Sequence, residues 1–435
     1  MAPRLLALVA CAGAACSGTP TSGWSVPTAV ENGALPADEL ALGGDPGGDV
    51  IAAWARAGDG VAAARFDHAG RTWSPPVALA PEANADQVSL SVGAEGSAIV
   101  VWRDRSGELA SIWSSWFDRA SGTWHAPELV ERDETGDAAA PSVAAMPGGG
   151  AVAVWHQWDG LRESLWANTL AESPARWTGR FLLETTDSAD AIEPDVAADA
   201  HGNAVAVWTQ NDGSSVTVWA ARRSADDGRW NAPFMLSESG FATANATSAP
   251  RVALDAAGNA LALWTMTSSR SSSAWASRYD AATDTWSVAQ PLGDSSGRAS
   301  TSSAALAMDA AGNGFAAWRR SDEAGVWLWA SVFSAANGSW LGAKRLEEGV
   351  GPPALAAAGD RQAAIIWQAF GDGGVRAVRF DARSGGWGPS TVLDRSTGGF
   401  APPQISVDPA GGATAIFTRS RQGARTGVWA VHAAP

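Results

Sequence analysis

Short apolar runs that end in tryptophan recur along the chain. They are Val50-Ile-Ala-Ala-Trp54, Ile99-Val-Val-Trp102, Val152-Ala-Val-Trp155, Val205-Ala-Val-Trp208, Leu261-Ala-Leu-Trp264, Phe315-Ala-Ala-Trp318 and Ile365-Ile-Trp367, and an eighth, Thr414-Ala-Ile-Phe417, closes in phenylalanine. A run this short and this uniformly apolar reads as a strand buried on both faces. Counting back from each anchor without gaps gives columns. Position six is Gly48, Gly96, Gly149, Gly202, Gly258, Gly312 and Gly411, interrupted by Arg361. Position nine is Asp45, Asp199, Asp255, Asp309 and Asp408, and position fourteen is Pro141, Pro194, Pro250, Pro353 and Pro403.

The columns spell out one repeating unit. Proline opens a first strand, where its missing N–H does least harm. Asp-x-x-Gly makes a tight turn, with Asp bonding nearby backbone and Gly taking the left-handed position. The apolar run is a second strand, paired to the first as a hairpin. A variable loop leads to a third strand, such as Ala274-Trp-Ala-Ser-Arg-Tyr279-Asp280. A second tight turn leads to a fourth strand opened by Trp73, Trp124, Trp177, Trp230, Trp286, Trp340 or Trp387. Four short strands per ~50 residues is one blade of a β-propeller. The expected fold is therefore all-β, an eight-bladed propeller of four-stranded antiparallel blades. The eighth unit ends at its third strand, and Trp24-Ser-Val-Pro27-Thr-Ala-Val30 supplies a spare fourth strand at the other end. Residues 23–30 are expected to complete the last blade and close the ring, making 23–435 one propeller domain.

Composition then sharpens this. Of 24 Trp among 435 residues, seven end second strands, eight open fourth strands and six sit at one third-strand position, so the excess is mostly blade packing. Trp116, Trp158 and Trp327 fall outside the columns. The formal net charge is −15, which argues against nucleic acid as a partner, because phosphate binding needs a basic surface. Lys344 is the only lysine among the basic residues, a bias that reads as a GC-rich bacterial genome.

The N-terminus carries Arg4 and then the apolar run Leu5 to Ala15, the layout of a secretory signal and too short to span a membrane. Both cysteines, Cys11 and Cys16, lie in this segment, so the body has no thiol for a disulfide, zinc site or nucleophile. Leu8-Val9-Ala10-Cys11 and Gly13-Ala14-Ala15-Cys16 resemble the lipobox of bacterial lipoproteins. That resemblance implies a signal over 1–16, lipidation at Cys16 or at Cys11, a tether over 17–22 and an exported protein of the cell envelope, lipid-anchored to the outer membrane or secreted. The segments Phe117-Asp-Arg-Ala-Ser-Gly-Thr-Trp124 and Tyr279-Asp-Ala-Ala-Thr-Asp-Thr-Trp286 resemble the BNR or Asp-box repeat of sialidase-like propellers and the aromatic-Asp to Trp spacing of kelch repeats. In those families the Asp turn is structural and lies opposite the usual active site.

Sialidases use a tyrosine nucleophile with an arginine triad. The only tyrosine here, Tyr279, occupies a column filled elsewhere by Phe66, Phe117, Phe333 and Phe380, so it reads as a packing aromatic. The histidines show no metal-ligand spacing, and no phosphate-binding glycine loop appears, so no catalytic residue, metal or cofactor is expected. The turns joining first to second and third to fourth strands must share one face of the disc. The second-to-third loops and inter-blade connections share the other, where variable loops on a rigid scaffold carry binding. The connections hold 18 acidic residues against three arginines, whereas the loops are rich in arginine. Arg56, Arg103, Arg319, Arg320 and Arg419 are expected to form an anion-binding arc on that face, with His156 and Trp158 as further contacts. The leading expectation is a monomeric binding or scaffold module for an envelope protein or a glycan. The alternative is a glycan-active enzyme, hydrolase or lyase, marked by acids, or an acid with His156, converging at the channel mouth.

Overall fold

The computed structural model describes residues 23–435 apart from 32–36, 57, 132–135, 173–174, 186–189, 212–214, 238–247, 268–270, 294–298, 372–373, 396–400 and 422–423. Cys11 and Cys16 lie outside the described residues. Eight antiparallel sheets form a closed ring, seven taking their strands in chain order and the eighth taking its outermost strand from Thr28–Ala29. Blade 1 runs Glu39–Gly44, Val50–Arg56, Gly60–Asp67 and Thr72–Trp73. The first strands of successive blades lie side by side around the centre, and Glu39–Gly44 meets Gln404–Val407 of blade 8 to complete the circle. The closure is made as the spare strand required. Thr28 stands opposite Ala430 and Ala29 opposite Trp429 on the last third strand, and Trp24 bridges to Ala433.

The anchor columns explain what holds the blades together. Trp54, Trp155, Trp208, Trp264 and Trp367 are fully buried, and Trp102, Trp318 and Phe417 nearly so. Each anchor packs on the preceding blade. Trp54, for example, lies among Ile416, Val428 and Ala430 of blade 8. The third-strand Trp stands directly across from the anchor, as in Trp102 opposite Trp113 and Trp264 opposite Trp275. The fourth-strand Trp packs on the aromatic that ends the third strand, with centroids 5.4 Å apart for Phe66–Trp73 and Phe117–Trp124 and 5.5 Å for Tyr279–Trp286. Tyr279 is thus a packing residue. Its hydroxyl donates to Asp284 at 2.5 Å, and burial together with that carboxylate pushes it up to about 12.

The glycine column is required by the backbone. Gly48, Gly96, Gly149, Gly202, Gly258, Gly312 and Gly411 all have φ between 80° and 93°, and Arg361 adopts φ 56° in the same turn. The turn aspartate does two jobs. Asp309 Oδ1 accepts from Ala311 N and Asn313 N within its own turn, and Oδ2 accepts from Arg361 N of the next blade at 2.8 Å.

Two expectations are corrected. Proline does not always open the first strand. Pro141 and Pro194 sit inside it, at bulges between Ala139 and Ser142 and between Ile192 and Asp195. A bulge leaves the proline nitrogen outside the ladder, so no hydrogen bond is forfeited. The residue before each proline is left-handed, Ala140 at φ 51° and Glu193 at φ 55°. The fourth strand is also usually broken in two. Thr72–Trp73 and Val77–Ala80 both pair with the third strand but are separated by Pro75 and Pro76. Blade 6 has no proline there, and its fourth strand runs unbroken over Ser339–Glu348.

His432 pins the closure. Its ring stacks on Phe66 of blade 1 at 3.9 Å, Trp73 Nε1–H donates to its Nε2 at 3.3 Å, and its Nδ1 lies 2.9 Å from Thr414 Oγ1. Burial, with Arg71 and His68 adding to it, lowers its pKa from 6.5 to about 4. A folded pKa below the unfolded one means the unfolded chain binds the proton first, so this group's contribution falls as pH drops from 6.5 towards 4. His432→Asn should therefore cost stability at neutral pH and progressively less towards pH 4. Melting both proteins across that range checks it, and a gap that stays constant with pH would count against this role.

Candidate functional site

Among the described residues, backbone bonds tie several second-to-third loops to the connection before the blade. Arg105 N donates to Asn84 O, Trp158 N to Asp137 O and Asn211 N to Asp190 O, all at 3.0–3.1 Å. The loops and the acidic connections therefore do share one face.

Most of the arginine arc is engaged in ion pairs there. Arg103 makes a two-pronged pair with Asp86, both bonds at 2.7 Å, and Arg105 joins the same carboxylate at 3.3 Å. Arg419 grips Asp394 at 2.8 and 2.9 Å, with its guanidinium 4.0 Å from the Trp429 ring. Arg56 pairs with Glu31 and, at 3.1 Å, with Asp59. Each of these charges already has an opposite charge on an adjoining loop or connection. Arg319 and Arg320 lie over aromatics, 5.9 Å from Phe370 and 5.5 Å from Trp329. The five arginines thus lie on four blades, Arg319 and Arg320 together on blade 6, and three of them are held in ion pairs.

What does converge lies at blade 3. Ala151–Trp158 and Glu163–Glu172 pair so that His156 faces Leu165 and Trp158 faces Glu163. Residues directly opposite point to the same side, so His156, Trp158 and Glu163 share one face of the sheet. Val152 and Val154, of the same parity, pack against Ala204, Ala206 and Trp208, which places that face towards blade 4. Trp158 remains 41% exposed at the mouth. His156 Nδ1 is enclosed without a hydrogen-bond partner, and burial, then Arg103, lowers its pKa to about 4, against the opposing pull of Asp190. It is a neutral imidazole at neutral pH.

Glu163 is the residue that sequence reasoning missed. Its Oε2 is enclosed and meets no hydrogen-bond partner, while its backbone N–H donates to Asp190 Oδ1 at 3.1 Å. Burial raises its pKa first, and the nearby negative charges of Asp190, Asp137 and Asp159 raise it further. A cavity of about 350 Å³ opens beside it, lined by Arg103, Arg105, Glu108, Asp137, Ala139 and Glu163. The site holds a carboxyl whose pKa is raised, carboxylates around it, two arginines at its edge and an exposed indole. Only the charge-dense connections pointed to it in the sequence. Among the described residues no group of three or more His, Cys, Asp or Glu is placed to hold a metal ion.

No family model matches the chain, and no curated protein matches it in sequence. Solved structures share its shape. A polysaccharide lyase of family PL25, an ulvan lyase, superposes with TM-score 0.57 at 11% identity over 86% of this chain and 97% of its own, and the same enzyme bound to -[GlcA(1-4)Rha3S]- superposes equally. The Dos1 propeller gives TM-score 0.52 at 7% identity over 94% of each chain. At such identities the likeness is one of fold, and the chain shares the propeller architecture with proteins of different function.

Proposed function

We propose that this protein is an exported, lipid-anchored propeller of the bacterial cell envelope that binds a glycan on its loop face, at the mouth between blades 2 and 4. The observation that carries the reading is the cavity flanked by Arg103, Arg105, Asp137 and Glu163, with the exposed Trp158 paired opposite Glu163. Indole presents a flat apolar surface suited to a sugar ring, and the carboxyls and guanidinia suit its hydroxyl and acidic groups. The lipobox-like ends at Cys16 and Cys11 support the anchor, which labelling with a palmitate analogue in Cys16→Ser and Cys11→Ser variants tests.

A second reading, catalysis on that glycan, is favoured by one specific observation. Burial, then the charges of Asp190, Asp137 and Asp159, raise the Glu163 pKa, the direction in which a general acid is tuned. Its shape relative, the ulvan lyase, acts on a polysaccharide. A glycan array with the purified protein, including acidic polysaccharides, separates the readings. Trp158→Ala is expected to weaken binding about tenfold or more, equal to ~1.4 kcal/mol. Glu163→Gln is expected to leave binding in place if the protein only binds, and to abolish product release if it cleaves. Binding that ignores Trp158→Ala would overturn the placement of the site.

A further inference from the structure

One seam on the opposite, turn-bearing face differs from the others. Three residues beyond the third-strand Trp position, the side chains are Arg65, Trp116, Thr169, Arg222, Arg278, Val332, Arg379 and His432. Several of these plug the seam to the next blade with a cation or an imidazole. The Arg222 guanidinium lies 5.9 Å from the Tyr279 ring, Arg278 lies 6.0 Å from Phe333, His432 stacks on Phe66, and Arg379 donates to Gly411 O. At the Thr169 seam Arg223 enters from the far side, donating to Gly202 O at 3.1 Å and lying 3.8 Å from Met146 Sδ, while a cavity of about 340 Å³ remains further out beside Thr169, Gly228 and Trp230. Beside Val332, Phe315 and Phe380 fill the gap, their centroids 5.2 Å apart.

Between blades 2 and 3 no such plug is present. Trp116 stands where the cation would be, with His125 stacked on it at 4.6 Å. The blade 3 turn is Met146-Pro147-Gly148-Gly149-Gly150, without the turn aspartate and without side chains on its glycines. A cavity of about 220 Å³ remains, walled by Trp116, His125, Met146 and the glycine turn and flanked by Glu95 and Asp118. Glu95 Oε1 accepts from Gly149 N at 3.0 Å, and among the described residues neither Glu95 nor Asp118 has a cationic side-chain partner. Arg119, next to Asp118 in sequence, turns instead to Asp49 at 3.1 Å.

We propose that the seam between blades 2 and 3 is a binding pocket for an organic cation, whose guanidinium or small ammonium head takes the place that an arginine of the chain fills in other seams of the ring. Two carboxylates supply the opposite charge and the Trp116–His125 pair supplies aromatic contact, the combination that retains a cation once it leaves water. This pocket lies across the disc from the loop face and is independent of the glycan reading. Calorimetric titration of the full-length protein with argininamide and with choline is expected to show saturable binding. Dimethylbutanol, the uncharged isostere of choline, is expected not to bind. Trp116→Leu and Glu95→Gln should each weaken the cation about tenfold while the melting temperature holds, since glutamine keeps the acceptor for Gly149 N. No saturable binding of either cation, equal binding of the uncharged isostere, or binding untouched in both well-folded variants would overturn the proposal.

Discussion

A chain lacking residues 23–30 is expected to accumulate as aggregated or partly unfolded protein. The deletion removes Trp24, 5% exposed, from the joint between blades 7 and 8, and Val30, 6% exposed, from the joint between blades 8 and 1. It also removes the bonds Ser25 N to His432 O at 2.7 Å and Val30 N to Val428 O at 2.8 Å. More important, it leaves Ala424–Ala433 as an unpaired edge at the one place where the ring is closed by non-consecutive chain. An open edge offers its N–H and C=O groups to other molecules. Blades that cannot bury both faces alone then lose the contact that makes the assembly cooperative. Gel filtration and denaturant unfolding of the truncated and full-length chains provide the check. A truncated protein that stays monomeric with an unchanged midpoint would show that the ring holds without its closing strand.

Trp264→Ala is expected to cost about 3–5 kcal/mol, the range for emptying a buried aromatic site. Trp264 is fully buried among Val205, Val207, Val252 and Ala262, spanning blades 4 and 5. No neighbour can move in to fill the space, because the anchor lies mid-strand between two ladders. Trp158→Ala, in a residue 41% exposed, should change stability by a small fraction of that while affecting ligand binding. Paired denaturant titrations separate the two. Equal losses would mean that the tryptophans are not divided between packing and surface roles.

The blade plan was legible because each constraint belongs to one residue type at one offset. A left-handed turn needs glycine, a strand buried on both faces needs an unbroken apolar run, and the largest side chain marks the seam. Arg361 shows how local that logic is: the turn keeps its left-handed φ, and Asp309 of the preceding blade holds the backbone N–H. The interior bulges at Pro141 and Pro194 were not legible, since proline at a strand's start and proline in a bulge satisfy the same hydrogen-bond rule. The candidate site was visible only in part. His156 and Trp158 stood out by departing from the columns, but Glu163 is an ordinary glutamate in sequence. It becomes distinctive only when pairing sets it opposite Trp158 and brings Asp137 and Asp190 from two successive connections beside it. The pairing of the arginines was hidden in the sequence for a related reason. Charge counts on a face do not reveal which charges are already paired, and Asp86, Glu31 and Asp394 claim three of the five.

The broken fourth strands carry a consequence for how such molecules behave when crowded. A ring abolishes edges at its centre but leaves one outward edge per blade, each a template on which another copy can extend the sheet. Proline cuts most of these into pieces too short to recruit a partner. Blade 6, whose outer strand runs ten residues without interruption, carries Lys344, Arg345, Glu347 and Glu348 along that strand instead. The chain's sole lysine thus sits on its longest exposed outer edge, where a charge that must stay hydrated discourages stacking as well as proline does. Replacing that charge run with threonine and valine would turn the rim of one blade into the seed of a fibre.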